Sequence, residues 1–406
     1  MKRRFLPGLK AGGFHAAIMM MRIVIAPDKF KGSLPATEVA GAIAGGIGPG
    51  LPGAEVVTVP VADGGDGTVD AAVAAGFERV PVTAAGPTGE PVRATYARGG
   101  DVAVIELACV CGLMRLPGGR PEPMTASSFG VGEVLRAGLD AGARQVILAV
   151  GGSAGTDGGA GLLQAIGARV LDARGEQIGR GGGALREAAS LDLAGLHPAL
   201  RSATLTIAAD VTNPLTGPDG AAEVFGPQKG AAPAQVRDLA EGLRHWAAVV
   251  AAATGTHASG LPGTGAAGGV GFAAQAVLGA GPRPGIGLVL DLVGFHRALA
   301  GADLVITGEG SLDAQSLSGK APVGVALAAS GRGIPVVAVA GRSTLTAQQL
   351  TTAGITAVYT LADLEPDPAR CIAEAGPLLR RVGQMIAGDR MGEAARAAEA
   401  GLRGRP

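Results

Sequence analysis

Five loops of this sequence carry an acid, four of them together with glycine, and each follows a short apolar run. They read PDKFKGS (27–33), ADGGDGT (62–68), GGSAGTDGGAG (151–161), ADVTNP (209–214) and TGEGSLDAQSLSGK (307–320). Glycine lets backbone N–H groups converge on an anion, and a following helix adds the positive end of its dipole. The first and last loops also carry lysine, and carboxylates without histidine or cysteine are what a hydrated Mg²⁺ prefers. Together these parts suit phosphoryl transfer from ATP, which depends on positioning and charge neutralisation.

This interpretation is supported mainly by the recurrence of one type of loop. A single acid in a glycine-rich turn usually caps a helix or forms an Asx turn. Here the same type of loop ends strand after strand, and in parallel α/β sheets the ligands bind at the carboxyl ends of the strands.

Two alternatives stay open at this point. Gly151–Gly155 fits G-x-S-x-G, the elbow that presents a nucleophilic serine, so Ser153 with a histidine base and an acid would make a hydrolase. Against this, TDGGAG separates the serine from the next helix, which an elbow would enter at once. The candidate bases His197, His245, His257 and His296 do not follow predicted strands. The second alternative is a sugar-acid binding protein without catalysis.

A further glycine motif, GTGAAG (263–268), satisfies G-x-G-x-x-G but follows THASGLP rather than a strand. We therefore do not expect a dinucleotide site there.

The elements that must position the loops alternate between β-branched runs and alanine-rich helices, which is typical of a parallel α/β sheet. The segment 80–108 differs, because its Thr/Val alternation and Pro/Gly turns predict antiparallel strands. Parallel-type strands return near residue 290. We predict a discontinuous α/β domain (21–80 plus 290–385), an inserted α/β domain (81–289), a C-terminal helical tail (386–406) and, at 1–20, a disordered extension or misassigned start.

Composition excludes several classes of function. Lys+Arg and Asp+Glu total 34 each, and aromatic residues make up 3%, so neither a basic patch nor base stacking points to nucleic acid. Glycine accounts for 70 of 406 residues, well above the usual level of about 7%. Three cysteines make neither a disulfide framework nor a zinc site. No apolar run reaches membrane-spanning length, so we expect a soluble, cytoplasmic protein.

Six motifs in order resemble the bacterial glycerate kinases of the first type, and the likeness covers about 22–385. They are IAPDKFKGSL, PVADGGDGTVDA, the segment 151–167, DVTNPLTGPDGAAEVFGPQKGA, PGTGAAGGVG and ADLVITGEGSLDAQSLSGKAPVGVA. The resemblance implies ATP-dependent phosphorylation of D-glycerate, usually to 2-phosphoglycerate. It also implies a flavodoxin-like doubly wound parallel-sheet domain with a second α/β domain inserted. Ser311 departs from the family pattern, which often has arginine there.

Glycerate is a small anion, so its site needs a cation for the carboxylate and a base near the 2-hydroxyl. We expect Asp313 to be that base and Lys31 and Lys320 to bind anionic groups. The candidates for Mg²⁺ and its waters are Asp63, Asp66, Asp157 and Asp210. The candidates for binding substrate or phosphate are Asp28, Lys29, Ser33, Gly64, Gly65, Gly151, Gly152, Ser153, Gly158, Gly159, Asn213, Gly308, Glu309 and Gly310. The expected cofactors are ATP and Mg²⁺, the expected partners are glycerate and ATP without nucleic acid or membrane, and the sequence is compatible with a homodimer.

Overall fold

The computed structural model describes residues 21–403. Its strands are β1 (Arg22–Pro27), β2 (Glu55–Thr58), β3 (Glu78–Ala85), β4 (Pro91–Gly99), β5 (Val102–Glu106), β6 (Gln145–Ala149), β7 (Arg169–Leu171), β8 (Ser190–Asp192), β9 (Thr204–Ala208), β10 (Gly281–Arg283), β11 (Leu304–Leu312), β12 (Val336–Ser343) and β13 (Ala357–Thr360). Its helices are α1 (Ala36–Gly50), α2 (Thr68–Ala74), α3 (Ala108–Cys111), α4 (Phe129–Asp140), α5 (Ala160–Ala165), α6 (Ala221–Phe225), α7 (Pro233–Thr254), α8 (Ala266–Ala276), α9 (Gly285–Leu292), α10 (Phe295–Ala298), α11 (Ala321–Ser330), α12 (Ala347–Thr352), α13 (Pro368–Ala373) and α14 (Ala375–Arg403).

The chain divides into two units, which differ from the predicted domains at their boundaries. Among the described residues, the first unit comprises those up to Val61 and those from Val293 onward, and the second is Ala62–Leu292. The segment 62–80, which the sequence assigned to the first domain, thus belongs to the second unit. The reason is packing: α2 lies against β4 and β5, and the buried Glu106 at the end of β5 accepts hydrogen bonds from Gly67 N and Val69 N (both 3.1 Å).

The first unit contains a five-stranded parallel sheet in the order β13-β12-β11-β1-β2. Counted along this unit alone, the order is 2-1-3-4-5, which is that of flavodoxin-like folds. The predicted α/β fold class is confirmed. The interior strand β1 is buried along nearly its whole length, which explains its continuous apolar run.

One face of this sheet is covered by α1 and α14, which pack closely on each other. Gly46 makes the approach possible, since a Cβ there would stand 2.0 Å from the carbonyl oxygen of Arg380. The sequence predicted a separate tail from residue 386, but α14 continues without a break, and Ile386 and Ala387 are buried in the core of this unit. Residues 1–20 and 404–406 lie outside the described residues.

The second unit contains a six-stranded mixed sheet in the order β10-β9-β6-β5-β4-β3. β3, β4 and β5 pair antiparallel, whereas β5, β6, β9 and β10 run parallel. The carboxyl ends of β6 and β9 are therefore neighbours at one edge. None of the helices within residues 21–403 has the length and apolar character that crossing a membrane requires.

Candidate functional site

A cavity of about 270 Å³ opens at the carboxyl ends of β6 and β9 in the second unit. It brings together seven of the predicted site residues: Asp63, Gly64, Gly65, Gly151, Gly152, Ser153 and Asp210. Lys229 and the segment 266–268 complete much of the remaining wall. The expectation that loops at strand ends meet is therefore realised for three of the five loops.

Glycine is required where two of these loops touch. A Cβ on Gly151 would stand 2.8 Å from Gly65 Cα, and a Cβ on Gly64 would stand 2.6 Å from Gly285 Cα. Gly64 also has a φ of +86°, in the left-handed region that favours glycine. This wall of the cavity therefore consists of closely packed backbone.

Asp63 and Asp210 are the two acids that line the cavity. Asp63 Oδ1 accepts a hydrogen bond from Gly65 N (3.2 Å), and Asp210 Oδ1 accepts one from Gly285 N (2.8 Å). Although Asp210 is exposed as a whole residue, desolvation of its carboxyl group raises its pKa to about 6, and the nearby charge of Asp63 adds to the rise. Two acids that repel each other's ionisation in this way are suited to share a cation.

Lys229 is a cavity residue that the sequence analysis missed. It follows α6 in a short 3₁₀ turn, Pro227–Lys229, and its side chain is only 3% exposed. Its Nζ donates to Ser153 Oγ (2.8 Å) and to the carbonyl oxygen of Gly155 (2.5 Å). The lysine was overlooked because it belongs to no strand end, although it stands between Gln228 and Gly230 in one of the family motifs.

The segment 266–268 comes from the GTGAAG motif. Ala267 has a φ of +53°, the one positive value at a residue other than glycine in the described chain. A Cβ on Gly268 would stand 2.2 Å from the carbonyl oxygen of Gly155. The motif thus forms a wall of the cavity, against the loop that follows β6.

Asp157 does not hold the position that a metal ligand needs. It is 1% exposed, and its carboxylate accepts hydrogen bonds from Ser127 Oγ (3.0 Å), Ser128 N (2.7 Å), Ser128 Oγ (2.9 Å), Gly159 N (3.1 Å) and Gly161 N (3.3 Å). Donors thus occupy both oxygens, which stabilises a buried carboxylate. These bonds give Asp157 a structural role, in which it fixes the loop to the start of α4, and they bring no support for the predicted metal role.

Gly158 and Gly159 serve packing rather than the cavity. A Cβ on Gly158 would stand 2.4 Å from Trp246 Cδ1, and one on Gly159 would stand 2.5 Å from Ala273 Cβ. Neither glycine lines the cavity. The structure shows close packing on α7 and α8 for these two glycines and brings no support for the predicted phosphate binding.

Two other predicted residues also lie off the cavity wall. Asn213 holds its own loop together, because its Nδ2 donates to the carbonyl oxygen of Asp219 (2.9 Å). Asp66 is exposed just before α2 and does not line the cavity. For these two residues the structure brings no support for a role in binding.

Ser153 does not form the arrangement of a serine hydrolase. Its hydroxyl pairs with Lys229, and no hydrogen bond joins it to a histidine within the described residues. His197 instead pairs with Asp140 (2.9 Å), and His245 with the carbonyl oxygen of Ala188 (2.5 Å). The hydrolase alternative therefore lacks its base.

The first unit gathers a second set of predicted residues at the carboxyl ends of β1 and β11. The register pairs Pro27 with Gly308, and Asp28 N donates to the carbonyl oxygen of Gly308 (2.8 Å). Asp28 and Glu309 are both buried, and Glu309 Oε1 accepts a short hydrogen bond from Ser316 Oγ. Two acids thus lie near the point where these strands end.

The loop after β11 holds Asp313 half-buried. Its Oδ1 accepts a hydrogen bond from Gln315 N (2.9 Å), and its own N–H donates to Ser316 Oγ (3.1 Å). Lys320 is half-buried, and its Nζ lies 3.4 Å from Gln315 Oε1, whereas Lys31 is exposed. The loop therefore fixes the backbone and one carboxylate oxygen of Asp313.

The other predicted residues of this unit make their contacts within the protein. They are Lys29, Ser33, Gly308 and Gly310. Lys29 N donates to Asp28 Oδ1 (2.6 Å), and Ser33 Oγ donates to the carbonyl oxygen of Ile372 (2.7 Å). Gly308 allows close strand pairing, since a Cβ there would stand 2.1 Å from the carbonyl oxygen of Val339. Gly310 approaches the backbone of Lys31, whose nitrogen would lie 3.4 Å from a Cβ at position 310.

A second residue missed from the sequence is Arg342 on β12. It is paired with Ser311 in the β11–β12 register, and its Nε donates to Ser311 Oγ (3.2 Å). No carboxylate of the described residues lies within 4 Å of its guanidinium group. The family often has arginine at position 311, where this chain has serine. Arg342 of the neighbouring strand lies beside that serine.

Comparisons with known proteins point to one family. The sequence profile of the glycerate kinase family matches residues 23–390. The chain is 45% identical over 344 residues to a glycerate kinase of Bacillus subtilis and 44% identical over 345 residues to a glycerate 2-kinase of Escherichia coli. Each alignment covers 84% of this chain and 90% of the relative. A solved structure from Salmonella typhimurium LT2, described as a glycerate kinase 2, has a TM-score of 0.81 and 42% identity, covering 94% of this chain and 99% of that one.

Proposed function

We propose the following function for this chain, which belongs to the glycerate kinase family and is therefore an enzyme. It transfers the terminal phosphoryl group of ATP to the 2-hydroxyl of D-glycerate. The products are 2-phosphoglycerate and ADP. The name of the Escherichia coli relative, glycerate 2-kinase, supports the choice of the 2-position. A protein that binds sugar acids without catalysis is the alternative to be tested against this.

The observation that carries the proposal is the cavity of the second unit. It combines packed glycine backbone at Gly64, Gly65, Gly151 and Gly152 with the carboxylates of Asp63 and Asp210. Such a wall accepts phosphate oxygens, while the acids suit a cation that neutralises them.

The donor set fits Mg²⁺, which would be held by Asp63 and Asp210. Each has one oxygen bonded to a backbone N–H. Within residues 21–403, no cluster of three or more His, Cys, Asp or Glu side chains is arranged to hold a metal ion. Mg²⁺ usually keeps several waters and takes one or two carboxylates together with phosphate oxygens, so a pair of acids is sufficient for it. When bound, Mg²⁺ would offset the charge of the phosphates.

In the first unit, we assign Asp313 as the base that accepts the proton of the glycerate hydroxyl. Its support is the fixed loop geometry, in which one carboxylate oxygen is held by Gln315 N. Lys31 and Lys320 are proposed to bind anionic groups, and Arg342 is added to them because its guanidinium has no carboxylate partner in the described chain.

The test is an assay of ADP release over a panel of small hydroxy acids, with the phosphorylated position of the product read by NMR. We expect ADP release that depends on D-glycerate and a phosphate on carbon 2. Binding of glycerate without ADP release would favour the alternative, and a phosphate on carbon 3 would overturn the assigned position. In the same assay, Lys320→Ala should raise the Michaelis constant or lower the turnover, and a variant unchanged in both would remove Lys320 from the site.

A further inference from the structure

Lys229 is a lysine buried in the wall of the cavity. It is 3% exposed, and no carboxylate of the described residues lies within 4 Å of its Nζ. An uncompensated charge in such a position is destabilising, and proteins therefore seldom bury lysine unless something pairs with it. The side chain lines the cavity, which leaves room for a partner from outside the protein.

The hydrogen bonds of Lys229 leave one direction open. An ammonium group has three donors, and the described residues supply two acceptors, Ser153 Oγ and the carbonyl oxygen of Gly155. These two acceptors fix the nitrogen at the cavity wall. The third N–H is thus available to an acceptor that enters the cavity.

The electrostatic surroundings make the charge of Lys229 depend on a ligand. Burial lowers its pKa to about 7, and the charge of Asp157 opposes this only in part. Asp63 and Asp210 line the same cavity, and Glu223 lies on α6, which packs on the turn of Lys229. In the free protein near neutral pH, a large share of the molecules therefore has an uncharged Lys229.

We propose that Lys229 binds the phosphoryl oxyanion in this cavity and takes up a proton from solvent when the anion enters. The proposal deepens the proposed function, on which it rests for the identity of the physiological anion. A phosphoryl group is favoured over a bare carboxylate because Asp63 and Asp210 share the cavity. They would repel an anion that brings no Mg²⁺, whereas a phosphoryl group is normally bound together with that ion.

The hydrogen bond from Lys229 also indicates what Ser153 does in the cavity. Its hydroxyl accepts from Lys229, so its own O–H can donate elsewhere. It is thus a positioning residue for the ammonium group rather than a nucleophile.

Sulfate is a suitable probe, because it is a tetrahedral dianion that carries no proton of its own near neutral pH. Its affinity is measured by calorimetry at a fixed Mg²⁺ concentration and constant ionic strength, because Asp63 and Asp210 would repel an anion that brings no Mg²⁺. Fluorescence of Trp246 gives a second readout, because this single tryptophan donates to the carbonyl oxygen of Gly158 (3.0 Å) in the loop after β6.

If only the charged lysine binds, affinity is lost as pH rises through the pKa. With a pKa of about 7, the dissociation constant for sulfate should rise about 50-fold between pH 7 and pH 9. Asp210, with a pKa of about 6, titrates mainly below this range.

The variant Lys229→Met removes the charge and keeps an apolar stem of similar length. It should bind sulfate at least tenfold more weakly at pH 7 and lose the pH dependence. The matched control is Arg237→Met, an exposed cation on α7, which should behave like the parent. Thermal unfolding of Lys229→Met checks that the variant is folded before its sulfate affinity is compared with that of the parent.

The inference is overturned if the parent fails to bind sulfate, if its dissociation constant is constant between pH 7 and pH 9, or if Lys229→Met binds as the parent does. The parent's own pH dependence remains decisive even if the variant does not fold. The glycerate-dependent release of ADP is measured separately, so failure of the proposed kinase reaction is distinguishable from failure of the role of Lys229.

Discussion

The indole of Trp246 occupies the space that a side chain at Gly158 would need. Its Nε1 donates to the carbonyl oxygen of Gly158 (3.0 Å), and a Cβ at position 158 would stand 2.4 Å from its Cδ1. The fully buried ring thereby anchors the loop that follows β6 to α7. Glycine is therefore required at position 158 both by the contact with the indole and by the φ of +60°.

The first prediction concerns this contact. Gly158→Ala should lower the free energy of unfolding by about 3 kcal/mol, because the new methyl group meets the indole and the left-handed φ is strained. The matched control is Gly175→Ala, where φ is +80° but nothing lies within 4 Å of the added Cβ. That variant should lose about 1–2 kcal/mol, from conformation alone. Chemical denaturation followed by tryptophan fluorescence gives both values, and equal losses would contradict the role assigned to the ring.

The second prediction separates structure from metal binding at Asp157. Asp157→Asn replaces one acceptor oxygen by an NH₂ group that faces donors such as Ser128 N and Gly161 N. We expect a loss of about 3 kcal/mol in the free energy of unfolding, since buried donors lose their charged acceptor. The folded fraction should require the same Mg²⁺ concentration for half-maximal activity as the parent. A raised Mg²⁺ requirement with unchanged stability would restore the metal role.

The third prediction concerns Asp210, whose pKa is raised to about 6. An acid whose folded pKa lies above its unfolded value of about 3.9 favours the folded state when protonated, and this contribution is lost as pH rises towards 6. Asp210→Asn should therefore be at least as stable as the parent at pH 7 and lose the decline in stability between pH 4 and pH 6.

If Asp210 also holds Mg²⁺, the same variant should need at least tenfold more Mg²⁺ for activity. Thermal unfolding across this pH range and titration with Mg²⁺ test the two statements separately. An unchanged Mg²⁺ requirement would remove Asp210 from the proposed metal site.

The sequence was informative about loops at strand ends because chain direction alone decides where these loops lie. In a parallel sheet, apolar runs fix the strands, and the loops after β6 and β9 then meet at one edge. Gly151 and Asp210 could therefore be predicted to lie near each other without any knowledge of side-chain contacts.

The sequence could not predict contacts between residues that lie far apart along the chain. Lys229 reaches Ser153 from 76 residues away, out of a turn that ends no strand. Asp157 looks like a loop acid in the sequence, but Ser127 and Ser128, some 30 residues earlier, supply donors that consume its carboxylate. The boundary after Val61 also depends on such a contact, between Glu106 and the start of α2.

The last prediction concerns Asp313 as the base. Asp313→Asn keeps the hydrogen bond from Gln315 N, because the amide oxygen still accepts, and so it should leave the loop folded. Without a carboxylate to take the hydroxyl proton, turnover should fall by about 100-fold or more, while the Michaelis constants for ATP and glycerate change only a few-fold. The control is Asp303→Asn: Asp303 also lies in the first unit, and its carboxylate accepts from Arg22 N (2.8 Å). Turnover of Asp313→Asn within a few-fold of the parent would show that another group accepts the proton.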